Sequence, residues 1–176
     1  FSYLTTRTEE TSLLGEGQFV GFGFRTRTDP VNRPLVIEVF ESSPAAEAGL
    51  QRGDEITAVD PGNGFVPVAQ LLADGSTISD ALGPAEPGVR RDLRLLRNGV
   101  TREVSLVKRT VTIDPVPDTY GTLVLPQSGT PGVAYLNLRS YISTADPQLS
   151  AAFAQFRALG LRDFIIDLRY NGGGLV

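Results

Sequence analysis

The 176-residue chain contains no His, no Cys, no Met and no Trp, and each absence removes a class of chemistry. Without His there is no Ser-His-Asp triad and no imidazole pH switch; without Cys there is no thiol nucleophile, thiolate metal site or disulfide. Catalysis within these residues would have to rest on Ser, Thr, Tyr, Lys or carboxylates, and the only Lys is Lys108. The 16 basic residues are outnumbered by 20 acidic ones, giving a net charge of −4. Because the basic residues alternate with apolar ones instead of clustering, no nucleic-acid surface is expected. No apolar run reaches the roughly 18 residues needed to span a bilayer, and the N-terminus has neither the basic start nor the apolar core of a signal peptide. Stable membrane insertion is not expected. The missing initiator Met and the ending at Val176 lead us to expect an excerpt of a longer protein.

What is present is rich in turns. Gly and Pro number 19 and 12, against usual shares of about 7% and 5%, which favours many short elements. Leu35 to Phe40 is β-branched and aromatic enough for a strand. Ser43-Pro44 then opens a helix of barely two turns that stops at Gly49. Glu55 to Val59 reads as a strand, and Val68 to Ala73 and Thr77 to Leu82 as short helices, the second capped by Ser76. Leu93 and Leu95 alternate with charged residues, Val104 and Leu106 do the same, and Asn98-Gly99 lies between them, which predicts a two-residue β-hairpin. Two prolines in Asp114 to Asp118 argue against a ladder strand there and mark a linker.

Beyond the linker the pattern changes. Val133 to Leu138 reads as a buried strand, and Asp146-Pro147 opens a helix with Leu149, Phe153 and Phe156 on one face and Ala152 and Leu159 beside them. Gly160 ends it, and Phe164 to Leu168 is read as a second buried strand. This strand-helix-strand unit predicts two parallel strands, which a single such unit cannot bury on both faces.

Two constellations could carry function. Gly21-Phe22-Gly23-Phe24 can turn successive N–H groups into one concavity suited to a peptide carboxylate, with the aromatics flooring a pocket. On the residues alone, a bend with core aromatics is the competing reading. The second is Asp167-Leu168-Arg169-Tyr170-Asn171-Gly172-Gly173-Gly174, where a glycine run after a parallel strand offers N–H groups to an anion. A phosphate is disfavoured because neither G-x-G-x-x-G nor Gly-Lys-Ser/Thr is present. A developing oxyanion and a purely structural turn remain open.

The order of these motifs resembles a known family. Gly-Phe-Gly-Phe, then SSPAAEAGLQRGDEI at 42–56, a short helix and a closing hairpin resemble a circularly permuted PDZ domain over roughly residues 17–110. Followed by GVAYLNLRSYIS and FIIDLRYNGGGLV, they resemble the carboxyl-terminal processing (tail-specific) proteases, and Phe1 to Leu4 resembles the segment that precedes the PDZ domain in that family. The resemblance implies an α+β fold: a lead segment over 1–16, a permuted PDZ β-sandwich with short helices over 17–110, a linker over 111–132, and over 133–176 the βαβ start of an α/β protease core of the ClpP/crotonase kind. It also implies a serine peptidase with a Ser nucleophile and a Lys base, both lying beyond residue 176, and no cofactor or metal. The oxyanion-hole candidates are Gly172, Gly173 and Gly174, with Gly173 foremost, while Asp167 and Arg169 form an ion pair that holds the loop.

Peptide binding by strand addition is assigned through the same resemblance to Gly21, Phe22, Gly23, Phe24, Ile78 and Leu82. With no His at the start of the groove helix, an apolar C-terminal residue is the expected ligand. Replacing Gly23 by a β-branched residue is expected to weaken binding without unfolding the domain. Ser140 and Ser143 have no Lys near them in sequence, so the chain by itself is expected not to hydrolyse peptides. The rival reading is a non-catalytic PDZ adaptor. A periplasmic or secreted location in the bacterial envelope follows from the resemblance alone.

Overall fold

The computed structural model describes residues 12–169 and 171–174. The chain divides into two compact units, one spanning Val20–Thr112 and the other made of the residues before it together with those from Ile113 onward.

The Val20–Thr112 unit is built from short elements: β1 (Gln18–Gly21), β2 (Phe24–Thr28), β3 (Pro34–Val39), α1 (Pro44–Glu47), β4 (Glu55–Asp60), β5 (Val66–Pro67), α2 (Val68–Ala73), α3 (Ile78–Leu82), β6 (Arg90–Arg97), β7 (Val100–Val107) and β8 (Arg109–Thr112). β1 and β8 pair as a two-stranded sheet, and the main sheet runs β2-β3-β4-β6-β7 with β5 attached to β4. β2 is therefore an edge strand. The β6–β7 hairpin follows the sequence closely, with Arg97 opposite Val100 and both turn residues, Asn98 and Gly99, at positive φ.

α1 starts where Ser-Pro places it, with the Ser43 hydroxyl accepting from the Ala46 N–H. The cap of α3 is Thr77, not Ser76. Its hydroxyl accepts from the Asp80 N–H while the Asp80 carboxylate accepts from the Thr77 N–H, a reciprocal pair that a cap one residue earlier does not make. The core joins Phe22, Val36, Leu50, Ile56, Leu93, Leu95 and Leu106, with Phe24, Ile78 and Leu82 half-buried against it.

A buried carboxylate fastens the loop after α1 to the hairpin. Asp54 is fully buried; it accepts from the Gln51 N–H at 2.9 Å and from Arg97, whose Nη2 lies 2.6 Å away and also reaches the Gly49 carbonyl at 2.9 Å. Burial alone would raise the Asp54 pKa, but the Arg97 and Gln51 hydrogen bonds outweigh it and the carboxyl titrates below its ordinary value.

The second unit holds β9 (Thr122–Leu125), β10 (Val133–Asn137), α4 (Ala145–Ala158) and β11 (Asp163–Asp167). β10 is central, antiparallel to β9 and parallel to β11. Ala134 and Leu136 pack with Ala152, Phe156 and Leu161, and Leu149 and Phe153 lean on that cluster. Leu159, expected on this face, is instead 51% exposed, because it caps the helix past its last packed turn. One further expectation is corrected. The stretch read as a linker contains β9, and its Val116 is a core residue whose N–H donates to Gln148 Oε1. β11 lies at the edge of its sheet among the described residues and leaves Phe164, Ile165 and Ile166 45–52% exposed, in keeping with a single strand-helix-strand unit that cannot bury both faces.

Truncating the buried carboxylate tests the first of these anchors. Asp54→Ala is expected to lower the unfolding free energy by about 3 kcal/mol, measured by urea unfolding with far-UV circular dichroism.

Candidate functional site

The glycine-aromatic loop between β1 and β2 is held from behind. Gly23 has φ +84°, and a Cβ built on it would sit 2.0 Å from Ser43 Cβ. The Ser43 hydroxyl donates to the Gly23 carbonyl, Phe40 N–H donates to the same oxygen at 2.9 Å, and Ala45 N–H donates to the Phe22 carbonyl at 2.9 Å. The loop's carbonyls are thus turned toward α1. The N–H groups of Phe22 and Gly23 have no acceptor among the described residues. Phe24 stands opposite Val39, and because Phe40 N–H bonds to the carbonyl before Phe24, that pair is not itself hydrogen-bonded. The N–H and C=O of Phe24 therefore point away from β3, toward the open edge of β2.

Four of the sequence-assigned residues, Phe22, Phe24, Ile78 and Leu82, belong to one core cluster. Phe22 and Phe24 stack with ring centroids 6.2 Å apart, and Ile78 and Leu82 of α3 pack against the same cluster. Phe22 is only 4% exposed and forms the floor; the half-buried Phe24, Ile78 and Leu82 form accessible wall. Gly21 ends β1 and leads into the loop. The arrangement supplies, among the described residues, backbone donors without acceptors next to an open strand edge, and Phe24, Ile78 and Leu82 share one apolar cluster.

Two participants were not singled out from the sequence. Ser43 was read only as a helix cap, yet its hydroxyl also fixes Gly23. Lys108, 6% exposed, donates from Nζ to the carbonyls of Gly83 at 2.6 Å and Pro84 at 2.7 Å, and Nζ lies 5.1 Å from the Phe22 ring centroid. The available signal was its place directly after a strand that ends in Val107.

The second constellation lies at the carboxyl end of β11. Asp167 accepts from Tyr135 OH at 2.7 Å and from the Arg169 N–H and guanidinium at 2.5–2.9 Å, so the expected ion pair is present. The Arg169 hydrogen bonds, with help from Tyr135, hold the Asp167 carboxyl far below the ordinary carboxylate range. Asn171 then stitches the glycine run down: its Nδ2 donates to the Leu138 carbonyl at 2.9 Å and its Oδ1 accepts the Gly173 N–H at 2.7 Å. The Gly173 carbonyl accepts from Tyr141 N–H at 3.0 Å. Gly173, the foremost oxyanion candidate, thus has its N–H engaged by Asn171, whereas those of Gly172 and Gly174 have no acceptor among the described residues. An Asn two residues before the central glycine is the Asx-turn signal that could have located this contact. Ser140 and Ser143 face backbone carbonyls, of Gly173 and Gly15 respectively.

Replacement of Gly23 now has a different expected outcome from the one drawn from the sequence. The Cβ overlap and the positive φ make it a stability change: Gly23→Ala is expected to cost about 2–3 kcal/mol, and combination with Ser43→Gly to be less than additive, read from denaturation by circular dichroism. For Asp167, the depressed carboxyl contributes stability above its unfolded value of about 3.9 that is lost as the pH falls below it. Asp167→Asn is therefore expected to melt below the parent at pH 7, with the gap narrowing as the pH is lowered from about 4 to about 2.

Comparison with known proteins agrees with this division. Residues 19–107 match the PDZ domain family and residues 132–176 match Peptidase family S41. The chain is 27% identical over 161 residues to a carboxyl-terminal-processing protease of Synechocystis, covering 91% of this chain and 36% of that protein. It is 27% identical to carboxyl-terminal-processing peptidase 2, chloroplastic, of Arabidopsis thaliana, covering 90% of this chain and 30% of that one. The chain thus spans about a third of the length of these curated relatives. Among solved structures, the photosystem II D1 C-terminal processing protease is 26% identical with a TM-score of 0.59, covering 92% of this chain and 42% of that one. The chain thus belongs to the PDZ domain family over residues 19–107, carries S41 peptidase sequence after it, and is similar along nine-tenths of its length to carboxyl-terminal-processing proteases.

Proposed function

We propose that this chain is the PDZ-containing part of a serine endopeptidase that recognises protein C-termini and cleaves near them, with its Ser nucleophile and Lys base supplied by sequence outside residues 1–176. The observations that carry the recognition step are the open edge of β2, the outward N–H of Phe24 and the N–H groups of Phe22 and Gly23, which have no acceptor among the described residues, together with the packing of Phe24, Ile78 and Leu82 on one apolar cluster. A peptide added to that edge takes its main-chain hydrogen bonds from β2, lays its terminal carboxylate against those N–H groups, and turns its last side chain toward Phe24, Ile78 and Leu82. Because this wall is apolar, the favoured C-terminal residue is apolar.

The peptidase step rests on the S41 match over residues 132–176, which favours an enzyme over a non-catalytic adaptor. In this reading Gly172 to Gly174 furnish oxyanion donors, and Gly173 takes part only once its N–H leaves Asn171. Capture at the PDZ groove raises the local concentration of the chain end to be cut. A Ser/Lys mechanism calls for no metal, nucleotide or nucleic acid. No described helix is long and apolar enough to cross a membrane, and an envelope location, periplasmic or secreted, is proposed from the family resemblance.

The recognition step is tested by titrating the chain with a fluorescent peptide ending in a free apolar residue and with the same peptide amidated. The free acid is expected to bind saturably and the amide at least about tenfold more weakly; equal binding contradicts the assignment of the loop.

A further inference from the structure

Lys108 is the only lysine in the chain, and it is placed where a charged side chain has little business unless it holds something. Its backbone is pinned on both sides, Lys108 N–H donating to the Val89 carbonyl at 2.8 Å and its own carbonyl accepting from Gly88 at 2.9 Å. From this fixed root the side chain runs inward to 6% exposure. There the ammonium meets the carbonyls of Gly83 and Pro84, which lie just beyond the last turn of α3, and the ring of Phe22 on the floor of the groove. No carboxylate lies within ion-pair distance of it among the described residues. Burial, and then the nearby Arg91, lower its pKa below the ordinary lysine value. Arg91 works on the same helix end: its Nε donates to the Ala81 carbonyl at 2.8 Å. α3 has five residues and too few internal hydrogen bonds to hold its own position, so the packing of Ile78, Ala81 and Leu82 on the core and these two cations at its C-terminal carbonyls fix it together.

Resting on the groove reading above, we infer that Lys108 is a positioning residue that sets the pocket for the ligand's last side chain, by clamping the end of α3, and with it Leu82, against Phe22. Lys108 does not touch the ligand; it fixes the distance between floor and wall. A clamp of this kind governs selectivity for side-chain size more than backbone capture. Its loss is tolerable for the fold because Pro84 is exposed and Gly83 only half-buried, so water can replace the lost donor at their carbonyls.

The test uses the whole chain and two labelled hexapeptides that are identical except for a free C-terminal Leu or Ala. In the parent the Leu peptide is expected to bind on the order of tenfold more tightly. Lys108→Met is expected to bring that ratio close to unity, Lys108→Arg to restore most of it, and amide hydrogen exchange at Leu82 and Gly83 to accelerate in Lys108→Met while β4 and β6 stay protected. A Lys108→Met chain that keeps both its Leu preference and its slow exchange overturns the inference. Should Lys108→Met not fold, Lys108→Gln is read by the same criteria. If the parent binds neither peptide, the groove reading fails, and the exchange comparison still decides the clamp.

Discussion

The loop that heads the proposed groove depends on one close approach, the backbone of Gly23 against the side chain of Ser43. Nothing larger than hydrogen fits there, and the same Ser43 hydroxyl that caps α1 also donates to the Gly23 carbonyl. This contact makes two distant sequence segments, the Gly-Phe-Gly-Phe loop and the Ser-Ser-Pro start of α1, a single piece of structure. With the loop's carbonyls taken by Phe40, Ser43 and Ala45, its N–H groups are left for a ligand. The Asp54–Arg97 pair secures the other end of the α1 loop to the β6–β7 hairpin, so the Gly-Phe-Gly-Phe loop is braced against the main sheet through α1.

The charges in the PDZ unit are spent largely on the chain itself. Arg97 reaches Gly49, Arg102 reaches Ala48, Arg91 reaches Ala81 and Lys108 reaches Gly83 and Pro84, each by a hydrogen bond to a backbone carbonyl at or just beyond the end of a short helix. Helices of four to six residues cannot satisfy their own final carbonyls, and guanidinium and ammonium donors supply the missing bonds, Arg97 while also pairing with Asp54. In the second unit Asn171 ties the glycine run to the end of β10, donating to the Leu138 carbonyl and accepting the Gly173 N–H, while Arg169 pairs with Asp167 just before it.

Much of this was legible from local signals. Asn-Gly between alternating strands, Ser-Pro before an alanine-rich turn, and the strand-helix-strand pattern after Gly132 each specify their own geometry within a few residues. What escaped the sequence depends on neighbours in space. β9 is a strand because it pairs with β10, which its four residues do not announce. β11 has the composition of a buried strand, but its burial is set by what packs on it. The Ser76/Thr77 cap turned on a reciprocal bond to Asp80 that either residue could have been thought to make. Gly23 looked like a binding residue open to substitution because its contact, Ser43, is 20 residues away. Phe22, Phe24, Ile78 and Leu82 share one core cluster, whereas the contacts of Lys108 with Gly83 and Pro84 join residues some 25 positions apart.

The central claim is that the N–H groups of the Phe22–Phe24 loop receive a free carboxyl terminus. The most direct measurement is amide nitrogen–proton NMR of the labelled chain during titration with a peptide bearing a free apolar C-terminus. The account predicts saturable shifts that are largest at Phe22, Gly23 and Phe24 and continue along β2 and α3. Saturable binding that leaves those three amides unmoved, with the shifts centred elsewhere on the chain, would contradict it.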